Sequence, residues 1–138
     1  MSYIRLQVIT PHGVLLDEEV DELLVPTEKG PLAISPKYTN IITACSPYGV
    51  LRTTKDGKRR YFAMFGGFLE VTPYGARILA EDLEDGYTID MARAIASRDR
   101  AQDRIAKKDS QHDIVRAQAS LYRALTRIEA KQKSEGGY

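Results

Sequence analysis

The hydrophobic pattern changes its period near Gly86, and this change constrains the fold more than any other feature of the chain. Before Gly86, apolar and polar residues alternate, as in the opening stretch SYIRLQVIT, which is typical of strands with one buried face. From Thr88 to Lys108 there is no Gly or Pro and alanine is frequent, which favours helix. We therefore predict a β domain over residues 1–86 and a helical domain over residues 87–138.

Turn signals divide the first region into short strands. Asp56 and Gly57 lie between two β-prone runs and predict a tight hairpin, because Gly57 tolerates a positive φ. The stretch VLLDEEVDELLVP predicts two more strands that end before Pro26. About eight or nine short strands at this spacing indicate an antiparallel β-sandwich or barrel. Its later strands are expected to bury some combination of Phe68, Val71, Ile78 and Leu79.

The second region predicts two helices with thin apolar stripes. The first stripe comprises Met91, Ala94, Ile95, Ala101 and Ile105. The second comprises Ile114, Ala117, Leu121, Ala124, Leu125 and Ile128. Between them, Ser110 and Asp113 have the spacing of a capping pair. A short loop favours an antiparallel helical hairpin, and its many alanines bury little apolar area, so we expect it to be weakly held.

The composition excludes several classes of protein. With 43% hydrophobic and 28% charged residues, the chain of 138 residues is not disordered throughout. No apolar stretch predicts a membrane span, and the N-terminus lacks a signal-peptide core, so we expect the chain to stay in the cytoplasm. Cys45 is the only cysteine, and His12 and His112 are far apart and expected at the surface, so we expect no metal site.

Charge is distributed unevenly along the chain. The net charge of +1 argues against a dedicated nucleic-acid binder. Residues 1–89 contain 9 Lys and Arg against 12 Asp and Glu, a balance of −3, whereas residues 90–138 contain 11 against 7, a balance of +4. The helical region is therefore a basic arm on an acidic body, which suits an acidic partner.

The chain lacks the usual catalytic motifs. There is no Walker loop, GxGxxG or GxSxG. The acidic stretches DEEVDE and EDLED are interpreted as solvated strand ends and a loop, because catalytic acids need partial burial. The stretch GKRRY could bind phosphate, but three basic residues beside a hairpin turn are interpreted as a soluble strand face. We expect an interaction or regulatory protein, and the rival hypothesis of a small enzyme rests only on the EDLED acids.

Several motifs, taken in order, resemble the ε subunit of bacterial and chloroplast F-type ATP synthases. LQVITPHGVLLDEEVDELLVPTEKGPLAISP is similar to the family's opening strands, and YFAMFGGFLEVTPYGARILAEDLED is similar to its Gly-Gly-Phe-x-Glu-Val hairpin. IDMARA resembles the start of the family's C-terminal domain, and RAQASLYRALTRI resembles its last helix. The resemblance runs nearly from end to end and implies a β-sandwich followed by a helical hairpin.

The resemblance implies a non-catalytic rotor subunit, peripheral at the cytoplasmic face of the cell membrane. Its expected partners are the γ subunit, the ring of c subunits and the catalytic α/β hexamer, whose ATP hydrolysis the hairpin inhibits. The family's Gly-Glu-Leu is Gly-Pro-Leu here and its His-Ala-Pro-Leu is altered, so the c-ring contact is expected at Pro31, Lys37 and Tyr38. The expected contacts with the catalytic β subunit are Arg116, Arg123, Arg127 and Lys131.

The resemblance also implies a regulatory ATP site, with no other cofactor. The family's Ile-Asp-x-x-Arg-Ala motif is complete in this chain, and a preceding acid and distal arginines match further positions. The expected ATP-binding residues are Glu84, Ile89, Asp90, Arg93, Ala94, Arg100, Arg123 and Arg127. The alternative is an ordinary helix cap at Asp90 with a routine Asp–Arg surface pair. A free-standing ATP-binding regulator is the rival to the rotor subunit.

Overall fold

The chain folds into a β-sandwich on which a helical hairpin lies. The computed structural model describes residues 2–107 and 111–136. The strands are β1 Ile4–Thr10, β2 Gly13–Val20, β3 Glu22–Thr27, β4 Gly30–Ile34, β5 Ile41–Ala44, β6 Gly49–Lys55, β7 Lys58–Phe65, β8 Phe68–Thr72, β9 Gly75–Leu79 and β10 Asp82–Asp85. A 3₁₀ turn, Gly86–Thr88, leads into the helices α1 Met91–Lys107 and α2 Gln111–Gly136.

The strands form two five-stranded sheets, which confirms a sandwich. The first sheet has the order β2-β1-β9-β8-β5 and the second has the order β10-β7-β6-β3-β4. The described residues form ten strands rather than eight or nine, and Pro26 lies within β3 rather than after it. The strand pairs of the two sheets are antiparallel, as expected, except that β1 and β9 pair in parallel. Period-two patterns give the strands but not their direction in a sheet.

The core lies between the two sheets and follows the alternation of each strand. Its largest fully buried side chains are Leu6, Leu23, Ile34, Leu51, Met64, Leu69, Ile78, Val8, Val20 and Val25. The predicted hairpin joins β6 to β7, with Asp56 at φ 51° and Gly57 at φ 78°. Positive φ at both central residues matches the twist of the flanking strands, which explains why Gly57 stands there.

Two of the four residues from which some combination was expected in the core lie inside it. Val71 and Ile78 are buried, as expected, but Phe68 is 58% exposed and Leu79 is 50% exposed. Phe68 and Leu79 are opposite each other in the register of β8 and β9 and so share the outer face of the first sheet. The burial of Val71 and Ile78 confirms that some combination of the four is buried, and the other two are exposed because side chains one residue apart on a strand point to opposite faces.

The helical hairpin packs on the second sheet mainly through α2. α1 and α2 pack along each other, and α2 also contacts β7 and the 3₁₀ turn. The alanine-rich seam is confirmed by the buried residues Ala94, Ala101, Ala117, Ala124 and Ala130. Leu125, expected in the stripe, is 41% exposed. Ser110, of the predicted capping pair, lies outside the described residues. No helix within residues 2–107 and 111–136 is long and apolar enough to cross a membrane.

Candidate functional site

A cleft lies at the junction between the β-sandwich and the helical hairpin. It has a volume of about 430 Å³ and lies between β10, the start of α1 and the middle of α2. We call it the hairpin cleft, and its lining residues are Glu84, Thr88, Ile89, Asp90, Arg93, Ala94, Ser97 and Arg127. Six of these eight are among the residues that the sequence predicted for ATP binding.

Asp90 caps the first turn of α1. Its Oδ1 accepts a hydrogen bond from the backbone N–H of Arg93 at 3.1 Å. The backbone N–H of Ala94 donates to the carbonyl oxygen of Asp90 at 3.0 Å. The cap interpretation is therefore confirmed, and it leaves the exposed Arg93 side chain at the cleft beside the positive end of the helix. This end of the cleft is suited to an anionic group.

The opposite wall of the cleft is held by an ion pair between β10 and α2. Arg127 Nε donates to Glu84 Oε2 at 2.9 Å, and Arg127 Nη2 donates to Glu84 Oε1 at 3.1 Å. Both side chains are about one-third exposed. The guanidinium of Arg127 also lies 5.2 Å from the ring centroid of Phe65. The pair joins the hairpin to the sandwich. It also engages the side chains of Glu84 and Arg127, which a ligand in the cleft would contact.

Close packing fixes α2 on the 3₁₀ turn beside the cleft. Lys131 Nζ donates to the carbonyl oxygen of Tyr87 at 2.8 Å. Gly86 is buried, and a Cβ there would collide with Ser134 Oγ and the carbonyl oxygens of Ala130 and Tyr61. A larger residue at position 86 would therefore push the helix away.

Two of the residues predicted for ATP binding lie outside the lining of the cleft. Arg100 Nη2 donates to Ser97 Oγ at 3.1 Å, farther along α1. Arg123 lies 5.7 Å from the ring centroid of Phe65 and lines a neighbouring cleft. Sequence reasoning missed Thr88 and Ser97, which line the hairpin cleft. Ser97 follows Arg93 by four residues, so the helical repeat alone places both on one face.

The neighbouring cleft lies between the hairpin and the edge of the first sheet. It has a volume of about 270 Å³, and Cys45 and Arg123 contribute to its lining. Burial raises the pKa of the Cys45 thiol to about 11, so this thiol is protonated at neutral pH. Within the part of the chain that the structure describes, no group of three or more His, Cys, Asp or Glu could hold a metal ion.

The acids of EDLED serve as structural partners in β10. Besides the Glu84 pair, Asp85 Oδ1 accepts from the backbone N–H of Tyr87 at 3.0 Å, and Asp85 Oδ2 accepts from Arg60 at 3.1 Å. Arg60 in turn pairs with Glu18 of β2 at 3.3 Å. These bonds tie the two sheets to the start of the hairpin.

The residues predicted for partner contacts lie in two places. Pro31 is exposed on β4, an edge strand of the second sheet, and Lys37 is exposed in the loop that follows. Tyr38 packs against the core and donates its backbone N–H to the carbonyl oxygen of Ser35 at 3.0 Å. Arg116 is exposed on α2, whereas Arg127 and Lys131 are engaged with the sandwich.

Sequence reasoning missed an apolar row across the outer face of the first sheet. The register of the strands aligns five apolar residues, one from each strand. We call them the apolar row: Val14, Ile9, Leu79, Phe68 and Ala44. Val14, Leu79 and Phe68 are each at least half exposed, and Ile42, two residues before Ala44, is 74% exposed. Ile9 and Ala44 are half-buried, and exposed apolar residues clustered in this way are typical of interaction sites.

Comparison with known proteins accounts for both regions of the chain. Residues 3–86 match the model of the ATP synthase delta/epsilon chain β-sandwich domain. Residues 88–132 match the model of the delta/epsilon chain long α-helix domain. The chain belongs to the ATP synthase delta/epsilon chain family.

Relatives of similar length support this family membership. The ATP synthase epsilon chain of Bacillus velezensis is 36% identical over 94% of this chain and 97% of its own. The epsilon chain of Desulforamulus reducens is 37% identical over 93% of this chain and 96% of its own. A chain of the Euglena gracilis mitochondrial ATP synthase shares the fold with a TM-score of 0.79 at 17% identity, covering 98% of this chain and 82% of that one.

Proposed function

We propose that this chain is a non-catalytic central-stalk subunit of an F-type ATP synthase, peripheral at the cytoplasmic face of the cell membrane. In this role it joins the γ subunit to the ring of c subunits, so that both rotate together. Family membership supports the assignment, since the relatives of matching length are ATP synthase epsilon chains. The host enzyme is proposed to translocate either protons or sodium ions.

The observation that carries the rotor role is the apolar row on the first sheet. The row lies on the outer face of the first sheet, whereas the hairpin packs on the second sheet. The hairpin comes near the row only at one end, where Phe68, Ala44 and Arg123 line the neighbouring cleft. Burial of exposed apolar surface stabilises a complex by about 25 cal/mol per Å² before the costs of association. Phe68, 58% exposed near one end of the row, is the large aromatic anchor that stable interfaces use. We propose that γ covers this row.

The proposed ring contact uses the edge of the second sheet. Pro31 leaves the edge strand β4 without a backbone donor at that position, and the exposed Lys37 follows in the next loop. Tyr38 is held against the core and so presents a fixed position next to Lys37. These three residues would rest on the polar loops of the c subunits.

Regulation is proposed to come from release of the hairpin. In the folded arrangement, Arg127 and Lys131 bind Glu84 and the Tyr87 carbonyl, which keeps two cations from other partners. Release would expose the basic residues 90–138, whose net charge is +4, to the catalytic hexamer. Arg116 and Arg123, together with Arg127 and Lys131, would then contact acidic groups of the catalytic β subunit and block ATP hydrolysis.

ATP in the hairpin cleft would favour the folded arrangement. Arg93 and the N-terminal end of α1 offer positive potential for phosphates, while Glu84 offers an acceptor for an amine or a hydroxyl. A ligand held between α1, α2 and β10 stabilises the arrangement that brings these elements together. Arg100 and Arg123 would join the site only after their side chains move toward it.

Reconstitution tests the assignment. The full chain is expected to co-purify with a γ subunit, and removal of residues 90–138 is expected to raise ATP hydrolysis by the reconstituted complex while γ binding persists. A chain that fails to bind γ, or a truncation without effect on hydrolysis, would overturn the corresponding part of the proposal. The rival free-standing ATP regulator would bind ATP in calorimetry but would bind no γ subunit.

A further inference from the structure

A third cleft, with a different chemistry, lies at the far end of α2. It has a volume of about 240 Å³ and lies on the outer face of the second sheet, where the last turns of the helix cross it. We call it the basic cleft, and its lining residues are Leu24, Val50, Arg52, Arg59, Tyr61 and Lys133. Three of the six are cations and none is an acid, in a chain whose net charge is only +1.

The strand register brings the two arginines together. Arg52 is opposite Tyr61 and Thr54 is opposite Arg59, so Arg52 and Arg59 are diagonal neighbours on one face. Long side chains reach each other across such a diagonal. Lys133 comes from α2, so the sandwich and the hairpin both contribute charge. The GKRRY stretch is thus divided, since Arg60 binds Glu18 and Asp85 while Arg59 faces the basic cleft.

These cations retain unused hydrogen-bonding capacity. Arg52 donates through Nη2 to Glu22 at 2.9 Å, but its buried Nε has no hydrogen-bond partner among the described residues. Lys133 has one ion pair, with Glu129 at 3.2 Å. The Arg59 side chain forms no hydrogen bond or ion pair within residues 2–107 and 111–136, although its backbone pairs with β6. Glu22 and Glu129 offset two of the three charges, whereas the charge of Arg59 has no acidic partner among the described residues, which is unfavourable beside two further cations.

We propose that the basic cleft binds a phosphate group, either free orthophosphate or the exposed phosphate of a lipid headgroup. Two guanidiniums and an ammonium suit a compact group with several charged oxygens better than a single carboxylate. The volume of about 240 Å³ is below the range of roughly 300–1,000 Å³ typical of larger organic ligands. Because Lys133 belongs to the hairpin, a bound phosphate holds the end of α2 on the sandwich.

Phosphate titration of the full chain tests the proposal. Backbone-amide NMR should show saturable shifts at Arg59, Tyr61 and Lys133 as orthophosphate is added. Arg59→Gln should weaken the binding by about tenfold or more, the effect of losing one charge-assisted hydrogen bond, while Lys58→Gln should change it by less than about twofold. Lys58 is the matched control because it is exposed on the same strand, is adjacent in sequence and does not line the cleft.

Vesicles distinguish the two sources of phosphate. Co-sedimentation with phosphatidylcholine vesicles containing phosphatidic acid, but not with pure phosphatidylcholine, and its loss in Arg59→Gln, would assign the cleft to a headgroup. Saturable orthophosphate binding with vesicle binding insensitive to Arg59 would assign it to the free ion. Equal weakening by both substitutions in both assays, shifts that never saturate, or shifts confined to the hairpin cleft would overturn the proposal. The basic cleft shares no residue with the hairpin cleft or the apolar row, so such a failure leaves the proposed function intact.

Discussion

Glu84 of β10 and Arg127 of α2, 43 residues apart in sequence, form a two-bond ion pair with distances of 2.9 and 3.1 Å. The pair closes the hairpin cleft and joins the hairpin to the sandwich. A ligand that binds Arg127 must compete with Glu84 or bind around the pair. The folded hairpin is therefore held on the sandwich by an ion pair that forms without a ligand.

A double-mutant cycle measures the coupling energy of the Glu84–Arg127 ion pair. Glu84→Gln and Arg127→Gln are each expected to loosen α2, and their coupling energy should be at most about 1 kcal/mol because both side chains are partly exposed to solvent. Amide hydrogen exchange in α2 supplies the free energy of opening. The same cycle on Arg98 and Asp99, an exposed pair within α1, is the control. Fully additive effects of Glu84→Gln and Arg127→Gln on the free energy of opening would show that the ion pair does not stabilise the folded hairpin.

ATP affinity should depend on Arg93. Arg93→Ala removes a cation from the hairpin cleft and is expected to weaken ATP binding by about tenfold or more, since a hydrogen bond to a charged group contributes about 1.5–3 kcal/mol. Calorimetry of the purified chain measures this change. Arg98→Ala, on the same helix but outside the cleft lining, should leave the affinity nearly unchanged. Equal losses in both variants would point to general charge attraction.

Gly86→Ala should release the hairpin without unfolding the sandwich. The added Cβ meets two backbone carbonyl oxygens and the Ser134 hydroxyl, and overpacking of this kind costs about 1–3 kcal/mol. Faster amide exchange in α2, with unchanged exchange in the central strands of both sheets, is the expected result. In the reconstituted complex, the released arm should inhibit ATP hydrolysis more strongly. Protection of α2 equal to that of the unmodified chain would contradict this packing argument.

Phe68→Asp should weaken γ binding. A charge in the apolar row opposes burial of that surface, and loss of an aromatic anchor costs about 2 kcal/mol or more at interfaces. Pull-down and calorimetry with a γ subunit measure the effect. Tyr74→Asp is the matched control, because Tyr74 is 91% exposed in the turn between β8 and β9 and lies outside the row. Wild-type affinity in Phe68→Asp would remove the row from the γ interface.

Asp17 should titrate below its ordinary pKa. Hydrogen bonds from Arg5 at 3.1 and 3.0 Å, and one from Gln7, hold the pKa of the Asp17 carboxyl below 3.8. Because the pKa is lower in the folded state than in the unfolded state, the Arg5–Asp17 pair stabilises the fold at pH values above the unfolded-state pKa. This stabilisation is lost as the pH falls through the folded-state pKa. Carboxyl-carbon NMR should show the low value. Arg5→Gln should move it toward 3.8, whereas Lys37→Gln should not.

Local periodicity explains why the sandwich and the hairpin could be predicted. The alternation of strands and the alanine-rich helices are properties of short windows. The outer face of the first sheet was missed, although Glu70 lies on the same face of β8 as Phe68, with the buried Leu69 and Val71 on the other. Because residues two apart on a strand share a face, the charged side chain of Glu70 indicates that Phe68 lies on an exposed face.

The residues of the hairpin cleft were only partly predictable. Asp90 and Arg93 are three residues apart, so helical geometry alone brings them together. Glu84 and Arg127 meet only because α2 packs on β7, the neighbour of β10, and on the 3₁₀ turn, which depends on the packing of the whole hairpin. Arg123 is one turn, about 6 Å, before Arg127 along α2 and so reaches the neighbouring cleft instead.

The parallel pairing of β1 with β9 sets an order of assembly during synthesis. β1 lies between β2 and β9, so the first strand made must wait for almost the last strand before its second edge is paired. Such a long-range pairing slows folding, because a large loop must close before the contact forms. The helices leave the ribosome after β10, when every strand of the sandwich has been made. The helical hairpin can thus pack on the sandwich as soon as it is made.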